Sequence, residues 1–461
     1  MTLTLRNHPK RYLLAILLVS VVARVGVAIY LGNEVDAPSL LTDQRSYHAL
    51  GARLISGHGF SFDRDWYPFT PADTPTAHWS FLYSLFVAGV YGLFGVHPLA
   101  VRLVQAVIGG LLLPWMVYRL AKAIFHDDQA ADPRMAETVS LLAALIAALY
   151  AYFVLYAATM MTETLYIVCL LWSLERAMAL ETKTRARAPM RALWPVALSL
   201  GLALGFGTLF RQSLLPWVLV LFLYLLWVAW RTRQMRTTIL ALGLVGGILV
   251  TFILPWTVRN YLVYDDLLLL NSNTGFAMYS AQHPMHGTSF REFEAAPLPD
   301  GVWGQPEPAL DRDLLKRGIQ FVLNEPARYL LLSLSRVRAF FEFWPTPDTT
   351  LLHNVGRTGS FGVFLPFMVL GLILTVRRPR ILAHSTLPFV FVIFYTVLHV
   401  LTWAMVRYRL PVDAVLIPFA AFGLVFLFQK IWALLTRRSI RRGADTSEAH
   451  PGLLEKPTAD T

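Results

Sequence analysis

The chain has 461 residues, 56% of them hydrophobic and only 15% charged, with a mean hydropathy of +0.51. A soluble protein of this length exposes far more charge, so the composition points to an integral membrane protein and excludes an ordinary soluble enzyme. The net charge of +11 does not indicate a nucleic-acid partner.

Basic residues cluster between apolar stretches: Arg6, Lys10 and Arg11; Arg185, Arg187 and Arg191; Arg231, Arg233 and Arg236; Arg377, Arg378 and Arg380; and Arg437, Arg438, Arg441 and Arg442. That is how the positive-inside rule distributes cytoplasmic loops. A spanning helix needs ~20 apolar residues. Segments near 12–32, 98–121, 136–158, 163–181, 192–210, 212–230, 237–258, 360–377, 385–404 and 411–435 meet this, which predicts about ten spans. The first reads as a retained signal anchor with the N-terminus inside. Alternation then puts every basic cluster, and the C-terminus, in the cytoplasm. Residues 79–96 read as a helix lying in the interface or re-entering from it, because a full span there would move the Arg185 and Arg231 clusters outside.

Two outer loops, 33–97 and 259–359, are long enough to carry function. The second holds the turn-rich "PLPDGVWGQPEP" and a helical pattern from Arg312 through Phe343. The predicted organisation is an N-terminal transmembrane catalytic module with the first outer loop (1–258), an outer loop with interfacial helices (259–359), C-terminal transmembrane helices (360–442) and a disordered cytoplasmic tail (443–461). No internal repeat suggests transporter symmetry.

Polar residues gather at the outer ends of spans: Asp43 with Tyr47 just behind it, Glu163 in "MMTETLYI", Arg211 in "LFRQSLLPW", Arg259 in "PWTVRNY" and Arg407 in "VRYRLPVD". Charged residues mark helix ends simply because hydrocarbon excludes them. The positive-inside rule, however, would put these arginines on the opposite face. Arginine grips phosphate through paired donors, and a carboxylate in the same pocket can serve as general base.

These motifs, in this order and together with "RSYHALGARLISGHGFS" and "HPLAVRLVQAVIGGLLLPWMVYRLAKAIF", resemble the bacterial membrane glycosyltransferases of the GT-C fold, in the protein mannosyltransferase and lipid A aminoarabinose transferase group. The resemblance implies an all-α polytopic bundle in the bacterial inner membrane. It implies transfer of a sugar from a polyprenyl-phosphate donor to a glycan, lipid or protein acceptor at the outer face. Asp43 matches the family's first-loop catalytic aspartate and Glu163 an acidic residue at the start of the fourth span. Arg259 matches a basic residue contacting the carrier phosphate, with Arg211 or Arg407 assisting; Tyr47 is a further expected substrate contact, and His78 either contacts phosphate when protonated or anchors the interfacial helix. The chain departs from the group in carrying Asp43-Gln44 where protein mannosyltransferases have Asp-Glu, and "PTAHWSF" where aminoarabinose transferases have a lysine. No cofactor is expected. GT-C members divide over metal dependence, so a divalent metal stays open. Rival readings are a flippase for lipid-linked sugars and a non-catalytic envelope scaffold.

Smaller signals carry alternatives. Arg24, mid-span, either pairs structurally or meets the lipid carrier. Asp413 is placed to pair with Arg409 at i, i+4. Cys169 reads as core filler, and the glycines of "GLALGFGTLF" as contacts for close helix packing.

Overall fold

The computed structural model describes residues 8–36, 43–126, 133–291, 294–302, 304–347 and 349–448. Among them there is no β-strand, only isolated bridges between Ser61 and Pro75 and between Trp66 and Thr70. The first half comprises α1 (Pro9–Leu31), α2 (Asp43–Ile55), α3 (Phe81–Phe94), α4 (Pro98–Phe125), α5 (Pro133–Leu149), α6 (Ala151–Ala157), α7 (Glu163–Arg185), α8 (Met190–Phe210), α9 (Leu215–Thr232) and α10 (Met235–Tyr264). The outer segment follows as α11 (Thr274–Gln282), α12 (Glu307–Asn324) and α13 (Pro326–Phe340). The chain ends in α14 (Leu351–Arg357), α15 (Val363–Val376), α16 (Pro379–Leu401) and α17 (Val406–Glu448).

Among the described residues eight helices are long and apolar enough to cross a membrane, and nine if the bent pair α5–α6 counts as one span. The predicted fourth span, α7, has the length but carries Glu163, Glu175, Arg176 and Glu181. Its polar groups are matched inside the protein. Glu175 pairs with Arg119 at 2.8 Å and with Arg176, and Glu181 accepts from the Tyr224 hydroxyl at 2.8 Å and pairs with Arg185 at 2.7 Å. A buried charge survives only when so satisfied. Helix α3, 14 residues long, reaches only about 21 Å at ~1.5 Å per residue and is too short to span.

Helix α17 is the most enclosed of the spans, packing against α5, α7, α15 and α16. Small residues allow close crossings. A Cβ at Gly201 would lie 2.8 Å from Ile248, and one at Gly205 2.7 Å from Phe252, so α8 meets α10 through these glycines. Cys169 is buried in the core, as read from sequence.

Arg24 resolves to structural pairing. The 56° bend between α5 and α6 frees carbonyls at the end of α5, and Arg24 donates to those of Ala148 (2.7 Å) and Ala147 (3.1 Å) and to the Ser20 hydroxyl (2.5 Å). With no water available, an arginine in the neighbouring helix supplies the donors. Arg409 and Asp413 pair at 3.0 Å, both fully buried, and the Tyr150 hydroxyl donates to Asp413 at 2.7 Å.

Three boundaries differ from expectation. Helix α10 continues through Tyr264, so Arg259 and Asn260 are helical and the second outer loop starts later. The pattern read as one helix from Arg312 to Phe343 begins at Glu307 and divides before Pro326, whose ring and missing N–H stop a continuous helix. Helix α17 runs to Glu448, so the first residues of the expected disordered tail are helical; 449–461 lie outside the described residues.

Candidate active site

The N-termini of α2, α7 and α17 and the C-terminus of α8 meet at one end of the bundle. Asp43 begins α2, and Arg407 of α17 donates to its Oδ2 at 2.8 Å. Glu163 begins α7 and pairs with Arg211, the residue after α8, at 3.3 Å. The pairs are linked by Tyr408, whose ring lies 5.0 Å from the Arg211 guanidinium and 5.2 Å from that of Arg407. Arg211 also faces Tyr166 at 5.8 Å. Four residues separated by up to 364 positions thus share one pocket.

The two pairs differ in exposure. The Asp43 and Arg407 side chains are 24% and 15% exposed, while Glu163 is 1% exposed beside an Arg211 that is 16% exposed. Asp43 is therefore the carboxylate that an entering molecule meets first. Neither oxygen of Glu163 accepts a hydrogen bond within the protein, despite the neighbouring guanidinium. Tyr47, one turn along α2 from Asp43, is buried against Trp79 (5.7 Å) and Tyr83 (4.6 Å). Burial, then the negative charge of Asp43 and Glu163, pushes its phenol far above its ordinary pKa, with Arg211 opposing. It is a neutral donor under all ordinary conditions.

A polar lattice fixes this end of the bundle. Arg102 of α4 donates to the carbonyls of Leu31 (2.9 Å), Gly32 (2.6 Å) and Glu34 (2.5 Å) and to Gln44 Oε1 (3.1 Å). That same oxygen receives the Met160 N–H at 3.1 Å. Gln105, one turn on, donates to the carbonyls of Tyr156, Ala157 and Thr159, the last at 2.6 Å, and so holds the chain entering Glu163. Gln212 binds Asn271 and Asn273, while Asn271 donates to the carbonyls of Ala77 and Trp79. The first and second outer loops are thereby joined beside Arg211.

Of the residues singled out from sequence, Asp43, Glu163, Arg211, Arg407 and Tyr47 come together. Two sit elsewhere. Arg259 bonds Asn260 Oδ1 at 3.0 Å and faces the rings of Phe60 (5.7 Å), Phe81 (5.7 Å) and Tyr264 (5.8 Å). Among the described residues, none of its contacts reaches Asp43, Glu163, Arg211 or Arg407. His78 is buried among Phe69, Trp79 and Phe276, with Nδ1 3.2 Å from the Ser272 carbonyl. Burial lowers its pKa, with Glu307 opposing. Sequence reading missed Arg102 and Gln105, which show as polar residues three apart opening an apolar helix. Among the described residues no group of three His, Cys, Asp or Glu could hold a metal ion, and both carboxylates of the pocket face guanidiniums.

Residues 77–256 match the family model described as dolichyl-phosphate-mannose-protein mannosyltransferase. The archaeal oligosaccharyltransferase AglB from Archaeoglobus fulgidus, solved in complex with an inhibitory peptide and a dolichol-phosphate, shares 15% identity at a TM-score of 0.57, over 97% of this chain and 53% of that one. The apo form of the Archaeoglobus fulgidus oligosaccharyltransferase gives 0.54 at 15% identity, over 94% and 52%. ArnT from Cupriavidus metallidurans bound to undecaprenyl phosphate gives 0.38 at 13% identity, over 89% and 77%. No curated protein sequence matches. The chain spans about half the length of the archaeal structures, and the likeness to them is one of fold.

Proposed function

We propose that this chain, a polytopic membrane protein of the GT-C fold, is a glycosyltransferase that moves a sugar from a polyprenyl-phosphate donor to an acceptor hydroxyl, with inversion at the anomeric carbon. The observation that carries the reading is the pocket in which a half-open carboxylate, Asp43, stands beside two guanidiniums sharing one tyrosine ring. The family match over 77–256 and the dolichol-phosphate of the archaeal relative support a lipid-phosphate substrate. The bilayer, the donor and a glycan, lipid or protein acceptor are the proposed partners. The basic loops support a proposed location in a bacterial inner membrane, with the pocket on the outer side and both termini cytoplasmic.

In the proposed step, Asp43 takes the proton of the acceptor hydroxyl. The freed oxygen pair forms a bond to the anomeric carbon, and the bond from that carbon to the phosphate oxygen breaks on the opposite side. The leaving electron pair stays on the carrier phosphate. Arg407 and Arg211 offset that growing charge through donors already oriented by Asp43, Glu163 and the Tyr408 ring. Glu163 holds Arg211 and keeps two buried acceptor oxygens for a substrate hydroxyl. Arg259, in its aromatic surround, is left out of the step.

Incubating purified protein in nanodiscs with a labelled polyprenyl-phosphate sugar tests this. An enzyme releases free carrier phosphate and labels an acceptor. In vesicles, a flippase would instead relocate intact donor, and that outcome would replace the proposal.

A further inference from the structure

The first outer loop makes a tight turn beside the pocket. The N–H of Trp66 donates to the Thr70 carbonyl at 2.7 Å and that of Thr70 to the Trp66 carbonyl at 2.9 Å, leaving Tyr67, Pro68 and Phe69 at the tip. The Trp66 indole donates to Ser46 Oγ at 2.9 Å, and Ser46 lies one turn along α2 from Asp43. The turn is therefore seated on the first turn of α2, next to the proposed base. Phe69 and Thr70 are buried, and Trp66 stacks on Phe62 at 4.4 Å.

Tyr67 is the exception. It is 58% exposed, although its immediate neighbours are packed. Phe276 of α11 lies 5.7 Å from it with the two ring planes at 86°. Partial desolvation, followed by the proximity of Asp43 and Tyr408, pushes its phenol up to about 12, which agrees with a hydroxyl turned toward the pocket.

The turn is held from below by one carboxylate. Glu307, buried in the first turn of α12, accepts from the Thr70 hydroxyl (3.0 Å), the Ala77 N–H (2.7 Å) and the Ser272 hydroxyl (2.7 Å). These bonds tie both strands of the first loop and the second loop to one helix. Its place in the first turn also suits a negative charge. Neither this carboxylate nor Tyr67 has a part in the chemical step above.

We infer that the Trp66–Thr70 turn is the sugar subsite: Tyr67 is the platform on which the donor's sugar ring stacks, and Glu307 is the positioning residue that keeps the platform over Asp43. This rests on the glycosyltransferase reading. A pyranose or furanose ring presents C–H bonds on one face, and these pack on the negative face of an aromatic ring. An exposed ring beside the base would hold the anomeric carbon within its reach, leaving the lipid phosphate to the arginines.

The test compares binding of undecaprenyl phosphate with that of undecaprenyl-phosphate mannose and other undecaprenyl-phosphate monosaccharides, by native mass spectrometry in nanodiscs. Wild type should bind at least one sugar-bearing carrier more tightly than the bare carrier. Tyr67→Ala should reduce that preference about 10-fold, Tyr67→Trp should keep it, and both should bind bare carrier as wild type does. Glu307→Ala should reproduce the Tyr67→Ala loss with bare-carrier binding intact. Tyr67 is exposed, so its variants fold independently of how Glu307→Ala behaves. If bare carrier does not bind wild type, the glycosyltransferase reading fails. If it binds and Tyr67→Ala retains the full preference for the sugar-bearing carrier, the platform is refuted while that reading stands.

Discussion

Replacing Glu163 by Leu removes the acid from a buried ion pair. The carboxylate is 1% exposed and lies 3.3 Å from the Arg211 guanidinium. At an effective dielectric constant of ~20, that separation corresponds to roughly 5 kcal/mol of attraction. Breaking one side of such a pair typically costs about 3–5 kcal/mol, because the partner stays buried without a counter-charge. The rings of Tyr166 and Tyr408 remain beside Arg211 and offset ~1 kcal/mol of that. Glu163→Leu should therefore lose about 2–4 kcal/mol, and Arg211→Leu, which strands the carboxylate with no ring to help it, somewhat more. The double variant should recover most of the loss, since a pair replaced by apolar groups is often neutral. Thermal unfolding of the four proteins in nanodiscs reads the cycle, and sugar transfer by the same samples reads function. Stability should return in the double variant while transfer stays lost. Losses that merely add, with no recovery, would show that the two side chains are not coupled.

Arg24→Leu leaves the carbonyls of Ala147 and Ala148 without donors in apolar surroundings, at about 1–3 kcal/mol each. Its unfolding temperature should fall clearly, and an unchanged one would contradict the capping role. Asp311, buried behind Gly275, has a pKa raised to about 6, by desolvation first. A carboxyl raised in the fold favours its neutral form, so its contribution is complete below the unfolded value of ~4 and lost as pH rises through about 6. Protection of α11 and α12 from protease should accordingly weaken between about pH 4 and pH 6, and Asp311→Asn should flatten that slope; an identical slope in both proteins would refute the assignment.

Most of the architecture was legible because hydrocarbon imposes it. Apolar runs of spanning length and basic loops on one side located the spans and kept α3 out of the count. The stretch 163–181 shows the limit: it reads as an apolar span, yet α7 carries Glu175 and Glu181, whose matching by Arg119, Arg185 and Tyr224 only packing reveals. Boundaries were read less well. Nothing local stops α10 at Arg259, so the outer loop was begun too early.

In the pocket, the sequence showed that acids and arginines cap several hairpins on the face where arginine is not favoured. It did not show which of them meet. Arg259 and Arg211 look alike as the last basic residue of a span, yet one faces a glutamate and the other three aromatic rings. His78, a phosphate contact or a loop anchor by sequence, is buried among aromatic rings. Glu307 and Tyr67 escaped notice because their partners lie far away in the chain or because the feature that marks them is exposure at a packed turn.

The most direct measurement is the single-turnover rate of sugar release from a polyprenyl-phosphate donor by wild type and Asp43→Asn, with binding of bare carrier measured on the same preparations. Losing a general base costs about 10²–10⁴-fold in rate. The account predicts a fall within that range with carrier binding retained. Transfer by Asp43→Asn at the wild-type rate would contradict it.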